Sequence, residues 1–229
     1  MSKTAVIAGA TGLIGKELTQ LLLDDPSYTK VVVWVRKKTS LQHAKLEQLV
    51  INFDRLAESA AGCVHRADVF CTLGTTIKKA KTKDAFRKVD YEYPLQLAKI
   101  CQQEGASQFH IVTAMGANAA SSIFYNKVKG QLEDELGKLS LNSLHIYRPS
   151  LLLGDREELR VGERIGAVVS RGLTFAMVGG LMKYRPIHAR TVALAMLAMA
   201  SRNELGPAIH ESVEIVRLCF EDKERRNWR

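Results

Sequence analysis

Residues 5–15 read AVIAGATGLIG, and this stretch decides how the rest of the chain is read. Ala5–Ala8 is a short apolar run, the pattern of a parallel strand covered on both faces. Gly9, Gly12 and Gly15 follow at three-residue spacing, and Leu13, Ile14, Leu18, Leu21 and Leu22 then recur with helical periodicity. Strand, glycine turn and helix together are the context of a dinucleotide-binding loop. In such a loop Gly9 permits the tight turn, Gly12 lets backbone approach a pyrophosphate, and Gly15 lets the helix lie close to the strand. The N–H groups and positive dipole end of the helix then face the phosphates.

Outward from this loop, strands and helices alternate. Asp25-Pro26-Ser27 ends the first helix, and Val31–Val35 is a second apolar run. The residue closing this strand selects the cofactor in dinucleotide folds: a carboxylate holds the ribose 2′-hydroxyl of NAD, a cation the 2′-phosphate of NADP. Here the strand runs into Arg36-Lys37-Lys38 with no carboxylate nearby, and the planar fork of Arg36 suits a phosphate. NADP(H) is therefore the expected cofactor, with Arg36 and Lys37 among its ligands. Leu49–Phe53 predicts a third strand, with Asp54 just past its end where adenine contacts fall. Ala67–Leu73 predicts a fourth, running into Gly74-Thr75-Thr76 beside the glycine loop, so Leu73, Gly74 and Thr75 are expected to line the cofactor.

A helix is expected over Asp84–Glu104, bent near Pro94 and stopped by Gly105, then strands at Phe109–Thr113 and Leu144–Tyr147. The alternation predicts an α/β fold: a doubly wound Rossmann-type parallel sheet with helices on both faces and a small C-terminal substrate segment. One domain over residues 1–229 is expected, its core at 3–150, with the substrate segment and closing elements at 151–229. Within the latter, Arg164–Leu173 reads as a helix, Tyr184–His188 as a short strand, Arg190–Ala200 as a packed helix with Met196 and Met199 filling core, and 221–229 as a disordered charged tail.

The chemistry is carried by 121–139, SSIFYNKVKGQLEDELGKL. Phe124, Val128, Leu132 and Leu136 recur every four residues as a buried stripe. Tyr125 and Lys129 share the same spacing on a neighbouring face. An ammonium beside a phenol favours phenolate, so Lys129 is expected to lower the Tyr125 pKa and fit it for proton exchange with a carbonyl or alcohol oxygen.

Composition narrows the alternatives. With 46% hydrophobic and 25% charged residues the chain is an ordinary globular protein, long enough to bury a core without disulfides. Cys63, Cys71, Cys101 and Cys219 form no CxxC pair, and the six histidines lack ligand spacing, so reduced thiols and no metal site are expected. No apolar run reaches a membrane span, and the first strand starts at the N-terminus, so no membrane partner and a cytoplasmic location are expected. The net charge of +9 is partly concentrated in Lys78, Lys79, Lys81, Lys83, Arg87 and Lys88. No nucleic-acid-binding signature accompanies it, and a basic rim around a polyanionic cofactor accounts for such charge. A small-molecule substrate is expected as partner, and a homodimer is allowed.

GATGLIG (9–15), YNKVK (125–129) and RPS (148–150) resemble the short-chain dehydrogenase/reductase superfamily. CTLGTT (71–76), VDYEYP (89–94), MGANAASSIFYNKVKGQLE (115–133) and YRPSLLLGDRE (147–157) are similar, more narrowly, to its atypical Tat-interacting-protein-like branch. The resemblance covers roughly residues 4–200. It implies bound NADP(H), with Gly9, Thr11, Gly12, Leu13, Ile14 and Gly15 cradling the pyrophosphate, and Arg148, Pro149 and Ser150 along the cofactor site. It implies Tyr125 as general acid/base, Lys129 tuning it and holding the nicotinamide ribose, and a hydroxyl residue at the end of the fifth strand. Thr113 is the hydroxyl of Val112-Thr113-Ala114-Met115-Gly116 and takes that role. The function so implied is an NADP(H)-dependent oxidoreductase acting on a small carbonyl or alcohol; an NADP(H)-binding sensor with little catalysis is the alternative.

Overall fold

The computed structural model describes residues 2–154 and 179–226. Six strands come in sequence: β1 (Lys3–Ala8), β2 (Tyr28–Val35), β3 (Leu46–Val50), β4 (Asp68–Cys71), β5 (Gln108–Val112) and β6 (Ser143–Arg148). Two short strands, β7 (Leu152–Leu153) and β8 (Ile187–His188), pair with each other, and β9 (Gly206–Glu211) returns to the main sheet. That sheet has seven strands in the order β3-β2-β1-β4-β5-β6-β9, every neighbouring pair parallel. The strand order reverses between β1 and β4, and ligands of open α/β sheets bind at the carboxyl ends of the strands flanking that point.

Among the described residues the α-helices are α1 (Leu13–Asp24), α2 (Leu56–Ser59), α3 (Ile77–Ala80), α4 (Lys83–Arg87), α5 (Tyr93–Glu104), α6 (Phe124–Leu136), α7 (Ala189–Arg202) and α8 (Ser212–Arg226). Alternate residues of β1 divide between two cores, which is why its sequence is apolar throughout. Ala5 and Ile7 belong to one, with Leu18, Leu21 and Leu22 of α1, Val192 and Met196 of α7, and Leu218 of α8. Val6 and Ala8 belong to the other, with Leu56 of α2, Leu97 of α5 and Leu132 of α6. Each fully buried leucine contributes about 2 kcal/mol of transfer free energy, so each layer of helices is held by its apolar stripe.

Several boundaries differ from the sequence reading. The third strand lies at Leu46–Val50, three residues early, because Asn52 caps a 3₁₀ turn that takes Phe53–Arg55 out of the sheet. The long helix is α4 and α5 joined by a π-helical turn over Lys88–Glu92, closely followed by Pro94, which has no N–H to give to the preceding turn. Gly105 ends α5 in the left-handed region at φ 70°, as expected. Tyr184 lies in a 3₁₀ turn, not a strand. The charged tail is helical as far as Arg226, since α8 carries Ile215, Leu218 and Cys219 into the core. The helix expected at Arg164–Leu173, with all of 155–178, lies outside the described residues.

One row inside the sheet was not anticipated. Beneath α7 and α8, Phe70, His110, His145 and His210 stack along β4, β5, β6 and β9 with ring centroids 4.8–5.3 Å apart. His145 Nδ1 lies 3.0 Å from His210 Nε2, and His110 Nδ1 lies 3.1 Å from the Tyr147 hydroxyl. Burial holds all three imidazoles below the usual histidine pKa, His145 at about 4.

Candidate functional site at the carboxyl edge of the sheet

The glycine turn brings β1 and β4 together. Gly9 has φ +96°, and a Cβ there would lie 2.7 Å from the Thr72 carbonyl carbon and 2.8 Å from the Leu73 nitrogen, so the loop ending β4 is pressed against it. A Cβ on Gly15 would lie 2.2 Å from the Gly9 carbonyl oxygen, which fixes how closely α1 approaches the turn. Gly12 differs: its Cβ would meet only the Gly9 oxygen at 3.3 Å and the Thr72 oxygen at 4.0 Å. Gly12 is also the N-cap of α1, with no side-chain cap and no acidic residue in the first turn. Thr11 and Gly12 are exposed, Leu13 is half-buried, and the Ile14 side chain is in the core, leaving its N–H for a ligand. An uncapped helix start beside an exposed glycine fits the pyrophosphate of a dinucleotide.

Arg36, Lys37 and Lys38 are exposed just past β2, and among the described residues none has an ion-pair or hydrogen-bond partner. Their cations are therefore available to a phosphate. Asp54 is engaged: its carboxylate takes an ion pair from Lys88 at 2.7 Å and a hydrogen bond from the Tyr93 hydroxyl at 2.5 Å, and these partners hold it below the usual carboxylate range.

On α6 the spacing of Tyr125, Lys129 and Glu133 forms a polar stripe beside the apolar Val128, Leu132 and Leu136. Gly130 makes this helix approachable, since a Cβ there would lie 2.2 Å from Asn118 and Ala119 backbone atoms. The loop after β5 thus rests directly on α6, fastened by the Asn118 N–H donating to the Asn126 carbonyl at 3.0 Å. The Tyr125 ring packs on Phe86 of α4, centroids 5.6 Å apart.

Lys129 is buried and ion-paired at 2.8 Å with Asp90, which is 1% exposed. The other Asp90 oxygen accepts the Thr75 N–H at 2.8 Å, so Asp90 joins the Gly74-Thr75 turn to α6. Asp90 raises the Lys129 pKa against the opposing effect of burial. The Tyr125 pKa is raised, not lowered: burial pushes it up most, Lys129 pulls it down, and Asp90 pushes it up again. The sequence reading weighed the ammonium alone, and the carboxylate that matches its charge comes from a different element.

Thr113 lies buried at the end of β5, its hydroxyl donating to Glu133 at 2.5 Å. Glu133 in turn binds the Arg148 guanidinium by two nitrogens, and Arg148 also pairs with Glu211 of β9 at 2.9 Å. Pro149 accepts the Met115 N–H at 3.0 Å, and Ser150 bonds the Arg185 carbonyl and the Ser212 hydroxyl. The polar groups of 148–150 are thus engaged in fastening the loops behind α6. Glu133 and Asp90 were missed; Glu133 repeats the four-residue spacing of Tyr125 and Lys129, whereas nothing local marks Asp90.

Residues 41–175 match the model of the HIM1 family. Protein HTATIP2 of Rattus norvegicus is 34% identical over 165 residues, 71% of this chain and 68% of that protein. Protein FMP52, mitochondrial, of Eremothecium gossypii is 32% identical over 227 residues, 95% of this chain and 98% of that protein. The fold is shared with MoeE5 in complex with UDP-glucose and NAD (TM-score 0.67, 15% identity, covering 99% of this chain and 83% of that one). It is shared too with the human epimerase family protein SDR39U1 with NADPH (TM-score 0.59, 16% identity, covering 90% and 72%). The relatives named mitochondrial overturn the expected cytoplasmic location. The four cysteines are unpaired, and no described helix is long and apolar enough to cross a membrane. Family match, relatives and seven-stranded parallel sheet agree: the chain belongs to the HIM1 family, an atypical, HTATIP2-like branch of the short-chain dehydrogenases/reductases.

Proposed function

We propose that this chain is an NADP(H)-dependent oxidoreductase acting on a small carbonyl or alcohol. The observation that carries the reading is Tyr125 and Lys129 on one face of α6, tied through Asp90 to the turn that abuts the glycine loop. The uncapped start of α1 and Gly12 would hold the pyrophosphate, and Arg36 and Lys37 the 2′-phosphate. The bound nicotinamide would supply or accept the hydride. Tyr125 keeps its proton at neutral pH, so its hydroxyl can donate to a carbonyl oxygen as the carbon accepts hydride. The carbon–oxygen π bond then opens, the alcohol leaves, and the phenolate regains a proton from solvent.

The test is calorimetric titration with NADPH and NADH, followed by NADPH oxidation over a panel of aldehydes and ketones. Cofactor binding with turnover supports the reading; no binding of either dinucleotide sinks it. One observation favours a second reading, a dinucleotide-binding sensor with little catalysis: the Thr113 hydrogen is committed to Glu133, not free for a substrate oxygen. Tight NADPH binding without turnover across the panel would decide for that.

A further inference from the structure

Asp90 lies 39 residues before Lys129, on a different element, the π-helical turn over Lys88–Glu92, and reaches it where that turn packs on α6. Both of its carboxylate oxygens are committed, one to the Lys129 ammonium at 2.8 Å and one to the Thr75 N–H at 2.8 Å. Both charged side chains are at least 97% buried. A buried ion pair of this kind is weak evidence for stability, since two apolar residues commonly serve as well. Its position argues for another use. It stands beside a half-buried phenol, one helical turn from Lys129, whose titration depends on the net charge nearby. Among the described residues, the titratable groups acting on that phenol and ammonium are Lys129, Asp90 and the Cys71 thiol at the end of β4, which burial pushes up to about 12 and so leaves uncharged.

We propose that Asp90 is a positioning residue that matches the charge of Lys129 and locks the Gly74-Thr75 turn to α6, so that Tyr125 serves as a proton donor and the site is built for carbonyl reduction. This rests on the oxidoreductase reading and specifies its direction. A lone ammonium at the Lys129 position would favour phenolate, the form suited to taking a proton from an alcohol. With the carboxylate in place the pair is neutral, and the partly desolvated phenol retains its hydrogen. The same carboxylate makes the turn and the proton donor move as one body.

The test is the ultraviolet titration of tyrosinate between pH 7 and 11, each protein read as a difference against the same protein carrying Tyr125→Phe, which isolates this phenol. In Asp90→Asn the phenolate should form about one pH unit lower than in the wild type, the effect of one unmatched neighbouring charge. In Lys129→Gln it should form higher, and in the double variant it should return close to the wild type. An unchanged titration in Asp90→Asn overturns the proposal. Should that variant fail to fold, Lys129→Gln and the double variant make the same comparison, and removal of the carboxylate must again lower the pH of phenolate formation. NADPH titration separates the two failures. Loss of binding by the wild type defeats the oxidoreductase reading, whereas intact binding with an immobile phenol titration defeats the role of Asp90 alone.

Discussion

Tyr125→Phe keeps the ring against Phe86 while removing the transferable proton. The variant should bind NADPH like the wild type and turn over any substrate found about 10²–10⁴-fold more slowly, the range for loss of a general acid; equal rates would remove Tyr125 from the chemistry. At the other end of the cofactor, Arg36 has no partner among the described residues to hold it away from a phosphate. NADPH should bind at least about tenfold more tightly than NADH, about 1.4 kcal/mol, and Arg36→Asp should reverse the order in calorimetry. The i, i+4 pairing of Tyr125 with Lys129 was legible because a helix places such residues side by side. Asp90 was not, because its approach depends on a π-helical turn and on the packing of two distant segments.

Among the elements, α1 and α6 depend on glycines for different reasons. Gly12→Ala meets only the Gly9 oxygen at 3.3 Å, so the variant should fold and lose NADPH binding as the methyl group enters the cradle. Gly130→Ala would drive a methyl group into the backbone of Asn118 and Ala119 at 2.2 Å. It should cost about 1–3 kcal/mol in urea unfolding, and it should loosen the loop that follows β5. Normal stability in that variant would show that the loop shifts freely. The first strand, turn and helix were readable because each has its own local signal, apolar run, glycines and periodicity. β9 gave none: GPAIHE mixes exposed Ile209 and buried His210, and its place is set by pairing with β6.

For the molecule as a whole, the buried imidazole row sets a pH dependence. His110, His145 and His210 have folded-state pKa values below the ordinary histidine value, so between about pH 4 and 6.5 the unfolded chain binds more protons than the folded one. Stability from this row is complete above about pH 6.5 and drains away as pH falls toward 4. Glu214 and Glu204 oppose the loss at His210, and Arg202 reinforces it. The urea midpoint should fall between pH 7 and 4.5 by the equivalent of a loss on the order of 2–3 kcal/mol, the contribution of one histidine displaced as far as His145. A flat midpoint over that range would mean the row is hydrated.

The strand order also has a consequence for how the protein is made. β6 ends at Arg148, and its outer neighbour β9 begins only at Gly206, after every other strand has been synthesised. A nascent chain that already holds the glycine loop, Tyr125, Lys129 and Asp90 therefore ends its sheet on β6, a strand buried in the finished molecule, instead of on the half-exposed β9, with His145 and Tyr147 lacking their partner at His210. Such an edge is a template for pairing with other chains. Synthesis of the segment from Gly206 on is thus the step that covers β6, and a chain stopped before Gly206 should sediment as aggregate although every proposed cofactor and proton-transfer residue is present. The segment from Gly206 on, remote from the proposed chemistry, then governs how much folded protein a cell obtains.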